Sequence, residues 1–585
     1  MVRFMMVLCG LIVSQMGAAP ATAANVRFGF SGLHGVPFET YDGMNAEERR
    51  SHLESRSALA ASLGADALRT GDAIPLLFER PANGEVDWVA LDHAVGAMLA
   101  PDVDVCVTLP EVPKALDKPA SNAFIAAVLE RYDGDLDFGV DPLDLNKAFP
   151  DINGSGSITN DDWDASSEAQ LAWAAAHQLV MLEVGHHVRQ IEDSTTMGED
   201  DYADHVTMIV NLAESAEETI SVMLGSVWVH EDSQQRFVSR LNGLDDATKG
   251  SIAASNVTVY GELTSPDVSN ALINIGKFDS WLGAAGLSES DRWVGSLSVP
   301  SAANTDGGGP CDDARCSQES QVTSLIKLTA SAVQEGYTTL LYERPVELVG
   351  QGVAADRWTS SGLLELEVVQ GIDLSILPLK PRPAYAVWRW LQSTFAEVDS
   401  TELTMLHDTP QGVEGLAMPA GWLIWFDWSA GAAAGAEYAG EERPVLLTGL
   451  TSTSLRIQSL WPESVCSQLG DGGVCDVSWT ETYVAVVDGT AQVIVGQHPI
   501  WVEASEVIVE AEEESDDDAA SAPEDISDEG DVSVGPSPDN EAPAVEPAEE
   551  GGCGAGVPSQ GWLGLLALLA VWMIRRWSTL CADAR

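Results

Sequence analysis

The sequence predicts an α/β fold: a (β/α)8 TIM barrel, then a small all-β sandwich, a disordered acidic stalk and a short C-terminal hydrophobic helix. Three observations predict it. Up to residue 395, short β-branched runs alternate with helical stretches, the signature of a parallel sheet with crossover helices. Eight such runs fit a closed barrel. Beyond it, alternating β segments broken by Gly and Asp follow one another without helices, and from Glu510 the composition turns abruptly to acids and prolines.

Residues 1–24 read as a secretory signal: Arg3, the apolar run MMVLCGLIV, then small residues to PATAA, with cleavage near Ala24. The barrel spans 25–395. Its strands are VRFGFSG near Val26, ADALRTG near Ala67, VDVCVTL near Val103 and LVMLEV near Val180, then segments near Ser221, Val257, Trp293 and Thr339. AEERRSHLESRSALAASLG, VDWVALDHAVGAML and SNAFIAAVLERY supply the first crossover helices. The helix YAVWRWLQSTF closes the barrel. WLIWFDW, RPVLLTGL, TSLRIQSLW, ETYVAVVDG, TAQVIVG and PIWVEA build a sandwich over 396–509. Most of its tryptophans are expected in the core or at the domain interface, with a sugar-stacking face as the alternative.

Residues 510–550 carry many acids, scattered prolines and few large apolar side chains, as in an extended linker. Segment 551–577 holds Cys553, the apolar run GWLGLLALLAVWMI and Arg575-Arg576, and 578–585 forms a tail. The run is short against the roughly 20 residues of a comfortable span, and its arginines would face the cytoplasm. The protein is therefore expected to be exported and either held at the cell surface or outer membrane or secreted. An oxidising compartment suits two local disulfides, Cys311–Cys316 and Cys466–Cys475. The metal alternative lacks a nearby His or a second thiol pair at zinc spacing. Cys106 reads as a core residue. The net charge of -61 excludes nucleic acid as a partner, because phosphate binding needs clustered Lys and Arg.

A long connection before the fourth strand contains a calcium-like insertion, 133–162. Asp151, Asn153, Ser155, Ser157, Thr159 and Asp162 set oxygen ligands at positions 1, 3, 5, 7, 9 and 12 of a loop with Gly156 at the turn. A structural Ca2+ is expected there, with a metal-free Asx/Gly loop as the alternative. No organic cofactor is expected.

Specific phrases resemble known families. FERPANGEVDWVALDHAV, Arg69 in LRTGDAI, SQESQVTSLIKLTASAVQEGYTTLLYE and the closing LKPRPAYAVWRWL resemble retaining glycoside hydrolases of the large barrel clan, of family-39 and family-5 type. The C-terminus resembles myxobacterial sorting tags, in which the residue matching Cys553 marks processing and anchoring. The resemblance implies an acid/base Glu after the fourth strand and a nucleophile Glu after the seventh, about 5 Å apart. Here VMLEVGHHVR puts His186 and His187 where the family has Asn-Glu, and WVGSLSVPS puts Ser296 at the nucleophile position.

Three readings of the barrel rim follow. Chemistry has moved to other carboxylates (Glu343, Glu262, Glu231 or Asp232), with His187 as a further acid/base candidate. Alternatively, His34, His186, His187 and His230 converge on a metal. In the third and favoured reading, the rim binds extracellular polysaccharide without cleaving it, through Arg69, His186, His187, Ser296, Trp228 and Tyr260. A surface or adhesion protein with no glycan role is the rival class.

Overall fold

The computed structural model describes residues 25–32, 46–70, 88–99, 103–109, 118–135, 149–154, 159–185, 199–215, 220–228, 238, 241–260, 269–299, 318–343, 345–350, 362–368, 379–407, 409–426, 442–469 and 475–506. The chain divides into two compact units, residues 1–512 and 513–585. Every described residue lies in the first.

Eight parallel strands close into a barrel: β1 (Arg27–Ser31), β2 (Ala67–Arg69), β3 (Asp104–Leu109), β4 (Met181–Val184), β5 (Ser221–Trp228), β6 (Ile252–Tyr260), β7 (Asp291–Ser298) and β8 (Thr339–Glu343). All eight fall where the sequence places them. Pairing of β1 with β8, Arg27 opposite Thr339 through Ser31 opposite Glu343, closes the ring. The strands read as nearly continuous apolar runs because helices cover the barrel outside and side chains fill it within.

The outer ring includes α1 (Ala46–Ser62), α2 (Trp88–Leu99), α3 (Lys118–Arg131), α4 (Asn160–Trp163), α5 (Ser167–Ala176), α6 (Glu199–Ser215), α7 (Asp246–Gly250), α8 (Ser269–Ala285), α9 (Gln318–Gln334) and α10 (Pro383–Phe395). Proline at its first turn starts α10 with φ already helical. Its Trp388 covers the closing seam, edge-on to Phe28 at 5.2 Å and to Tyr342 at 5.4 Å. Gly64, at φ +76, ends the α1 turn in the left-handed conformation, and its carbonyl accepts from Gln392 of α10.

Two features were not read from the sequence. A three-stranded sheet of β9 (Val346–Gly350), β10 (Leu364–Val368) and β11 (Leu379–Pro381) lies between β8 and α10, and β12 (Thr404–Met405) and β13 (Val413–Met418) precede the first predicted sandwich strand. These strands are short, and β12 and β13 hold few β-branched residues. The remaining strands are β14 (Gly421–Phe426), β15 (Arg443–Thr448), β16 (Ser454–Val465), β17 (Val477–Ala485), β18 (Thr490–Val495) and β19 (Ile500–Ser505). They form a six-stranded sheet, β12-β13-β14-β19-β16-β17, and the pair β15-β18.

The two-residue period sorts the larger sheet's faces. Ile424, Phe426, Ile457 and Val502 meet Val445, Val493 and Val495 of β15-β18 in one cluster. Leu423, Trp425 and Trp501 instead join the barrel's own core. Trp390 of α10 meets Trp501 at 5.6 Å, and Lys327 of α9 reaches Glu414 at 3.6 Å. The sandwich tryptophans Trp425 and Trp501 are thus interface residues, as expected. Cys466 and Cys475 form the disulfide expected of them, and Cys106 is free and buried. Cys311, Cys316, Cys553 and the segment 551–577 lie outside the described residues. Among the described residues no helix is long and apolar enough to cross a membrane.

Candidate functional site

The barrel interior is built in steps of two residues. An apolar layer contains Ala67, Cys106, Met223, Ala254, Trp293 and Leu341, with Met181 packed against it. Two residues further along each of these strands, toward the C-terminal end, stand Arg69, Thr108, Glu183, Gly225, Asn256, Gly295 and Glu343. Ser31 of β1 is paired with both Arg69 and Glu343. Strand alternation thus places a polar layer directly above an apolar one.

Glu183 organises this layer. Arg69 donates to it twice, Nε to Oε2 at 2.7 Å and Nη2 to Oε1 at 2.8 Å. Thr108 Oγ1 donates to Oε2 at 2.6 Å, and Asn256 Nδ2 to Oε1 at 2.5 Å. Both members of the ion pair have no solvent exposure. Four donors on two oxygens hold Glu183 as a buried acceptor. Burial, followed by the Glu183 charge, pushes the Cys106 thiol well up, so it stays protonated and unreactive.

The third arm of Arg69 organises β7. Its Nη1 donates to Ser31 Oγ at 3.0 Å and to the Gly295 carbonyl at 3.3 Å. At Gly295 the β7 register slips against both neighbours, with shifts between Val257 and Thr258 opposite β6 and between Val294 and Leu297 opposite β8. A side chain at Gly295 would collide with Asn256. This bulge turns Ser296 toward β8, where its Oγ donates to Glu343 Oε2 at 2.7 Å. Ser296 is buried, and Glu343, at the last position of β8, keeps 7% exposure.

The structure therefore brings together two residues that the sequence offered for different roles, Ser296 and Glu343. It sets Arg69 in the same layer, bonded to Glu183. Trp228 and Tyr260 end β5 and β6. His186 and His187 follow Gly185, whose φ of +82 turns the chain off β4; they, His34, His230, Glu231, Asp232 and Glu262 lie outside the described residues. Sequence reasoning missed Thr108, Glu183 and Asn256 as one layer. The signal was available: each stands two residues after an apolar inward position of its strand.

In the calcium-like loop, Asp162 is fully buried. Its Oδ1 accepts from the Asn153 N–H at 3.0 Å, and its Oδ2 from the Thr159 N–H at 2.7 Å and hydroxyl at 2.8 Å. Burial alone would raise this carboxyl, but the backbone donors outweigh it and hold it below the usual range. Asp151 is buried, with His93 Nε2 at 3.6 Å. Ser155 and Ser157 lie outside the described residues. Among the described residues no three His, Cys, Asp or Glu side chains converge as a cation site. Upstream, burial pushes Asp133 up to about 7, with the Asp135 N–H opposing it and the Asp135 and Glu130 charges adding to it.

The root of the insertion is braced. Asp92 takes both Arg131 Nε at 2.7 Å and Nη2 at 2.6 Å, and the Tyr132 hydroxyl at 2.9 Å. The Arg131 guanidinium lies 5.0 Å from the Trp88 ring and 5.6 Å from Trp173.

No protein family and no curated protein matches the sequence. Among solved structures, the chain is similar to a 4-O-α-L-rhamnosyl-β-D-glucuronidase from Fusarium oxysporum 12S (12% identity, 83% of this chain and 99% of that one, TM-score 0.47). It is also similar to a family 39 glycoside hydrolase from Bacteroides cellulosilyticus WH2 (12% identity, 83% and 81%, TM-score 0.45). A GH39 enzyme from Xanthomonas axonopodis pv. citri aligns at 13% identity over 84% and 99%, with TM-score 0.45. At TM-scores under 0.5 these likenesses carry no weight for chemistry; the (β/α)8 barrel stands on its own strand pairing.

Proposed function

We propose that this protein is exported, held at the cell surface, and binds extracellular polysaccharide at the C-terminal rim of its barrel without double-displacement cleavage. The observation that carries the reading is the fourfold donation to Glu183. Retaining hydrolysis needs two working carboxylates about 5 Å apart at the rim. The polar layer holds two, but one is Glu183, spent as a buried acceptor. Among the described residues a serine hydroxyl donates to Glu343, an arrangement suited to holding sugar hydroxyls. A structural calcium in the loop from Asp151 to Asp162 is part of the same reading, and calcium titration with an Asp151→Asn control checks it.

The purified protein, incubated with soluble and insoluble polysaccharides, is expected to be retained on at least one while releasing no reducing sugar. Release that disappears in Glu343→Gln would replace this reading with that of a glycosidase working from a relocated carboxylate. Retention on none would remove the glycan role.

A further inference from the structure

We infer that the Cys466–Cys475 disulfide is a redox-sensitive clamp: the turn it closes in the sandwich holds the β9–β11 sheet in order, and reduction releases that sheet. The sheet is poorly equipped to stand alone. β9 and β10 have five residues each and β11 has three, and sheets this small persist only when packed from outside. β11 pairs with β10 through Leu379, Lys380 and Pro381, and Pro381 has no N–H to give the ladder. Glu365 of β10 takes Lys380 at 3.3 Å and Arg382 at 2.9 Å. These ties join one part of the excursion to another and fix nothing to the sandwich.

The support from outside comes from the disulfide turn. Within it, the Leu469 N–H donates to the Leu379 carbonyl of β11 at 3.0 Å. Leu469, Cys475 and Leu379 all pack against the core cluster that the barrel shares with the sandwich, as does Trp479 of β17. Leu469 follows Cys466 by three residues, with Ser467 and Gln468 exposed between them, so its position follows from that of the cysteine. Cys466 is held in turn by the bond and by its own N–H, which lies 3.2 Å from Cys475 Sγ. A crosslink closing a short loop cuts the conformations open to it. Here it keeps Leu469 seated on β11.

Reduction breaks the S–S bond and leaves two thiols. The two electrons and two protons come from an added dithiol, dithiothreitol, which closes to its cyclic disulfide. The turn is then free to leave β11. Register carries the loss inward, from Leu379 to Leu366 of β10 and from Leu366 to Leu348 of β9. β9 starts three residues past Glu343, so its order bears on the backbone that leaves β8 beside that carboxylate.

The test is hydrogen exchange on the full-length protein, read by peptide mass spectrometry. Wild type with and without dithiothreitol is compared with the double variant Cys466→Ser, Cys475→Ser, which isolates this pair because the chain holds other cysteines. Exchange over 346–350, 364–368 and 379–381 is expected to quicken roughly tenfold in the reduced protein and in the double variant, while β1 to β7 keep their protection. Leu469→Pro, which deletes the donated N–H and leaves the disulfide, is expected to quicken the same three strands. Quickening confined to 466–475 would overturn the inference, since the bond would then pin only its own hairpin. Uniform quickening through the barrel would overturn it too, by making the bond a staple for the whole fold. So would a β9–β11 sheet that Leu469→Pro leaves unchanged.

Discussion

At the scale of single residues, the most consequential pair is Arg69 and Glu183. Neither touches solvent, so removing one partner leaves the other a buried charge without its counter-ion. Arg69→Met is expected to lower stability by about 3–5 kcal/mol in denaturant unfolding. Removing both charges, as Arg69→Met with Glu183→Leu, should recover part of that loss, because no orphan ion remains. A double variant no better than the single would show that Arg69 acts mainly through Ser31 and Gly295. Arg69 was legible in the sequence as a residue ending the second strand, and Ser296 as a departure at the end of the seventh. Their geometry was not legible. A bulge at Gly295 decides which way Ser296 points, and a bulge depends on contacts from β2, β6 and β8 together, which no single segment encodes.

At the scale of elements, the barrel strands were readable because each is an apolar run bounded by turn residues. β9 to β13 were not, since short strands with little β-branching have no local signature. The insertion illustrates the same limit: ligand spacing predicts a cation loop, while the fold shows Asp162 already accepting N–H bonds that close the loop. This fixes a pH dependence. A carboxyl held below its ordinary value in the folded state contributes stability at neutral pH, above the unfolded value of about 3.9. The contribution is lost as pH falls through the folded value. Asp162→Asn is therefore expected to melt below the wild type at pH 6, with the difference shrinking as pH falls below about 4. A difference that stays constant with pH would mean the carboxylate charge is not what closes the loop.

At the scale of the whole molecule, the barrel and the six-stranded sheet share one apolar core, in which Trp425 and Trp501 pack with residues of the barrel. The two parts are therefore expected to unfold together. Trp501→Ala, at a cost of about 3–5 kcal/mol, should move a single thermal transition downward rather than split it. Two separated transitions, with the barrel's unmoved, would show that the sandwich is only tethered. The TIM barrel itself was legible from the alternation of strands and helices. The sharing of its core was visible only as the excess of tryptophan in the second half, because interfaces between domains leave no periodic pattern.

The braced root of the insertion also bears on how such a chain can change over evolutionary time. The Leu179 N–H donates to the Tyr132 carbonyl at 2.9 Å, and Gln178 Nε2 to the Asp133 carbonyl at 3.2 Å, so the excursion leaves and re-enters the barrel at nearly one point. With its two ends stitched beside a guanidinium held between tryptophans, the segment can lengthen, shorten or acquire new ligands with only a logarithmic cost in closure entropy. A change of length there would leave the register of the barrel strands intact.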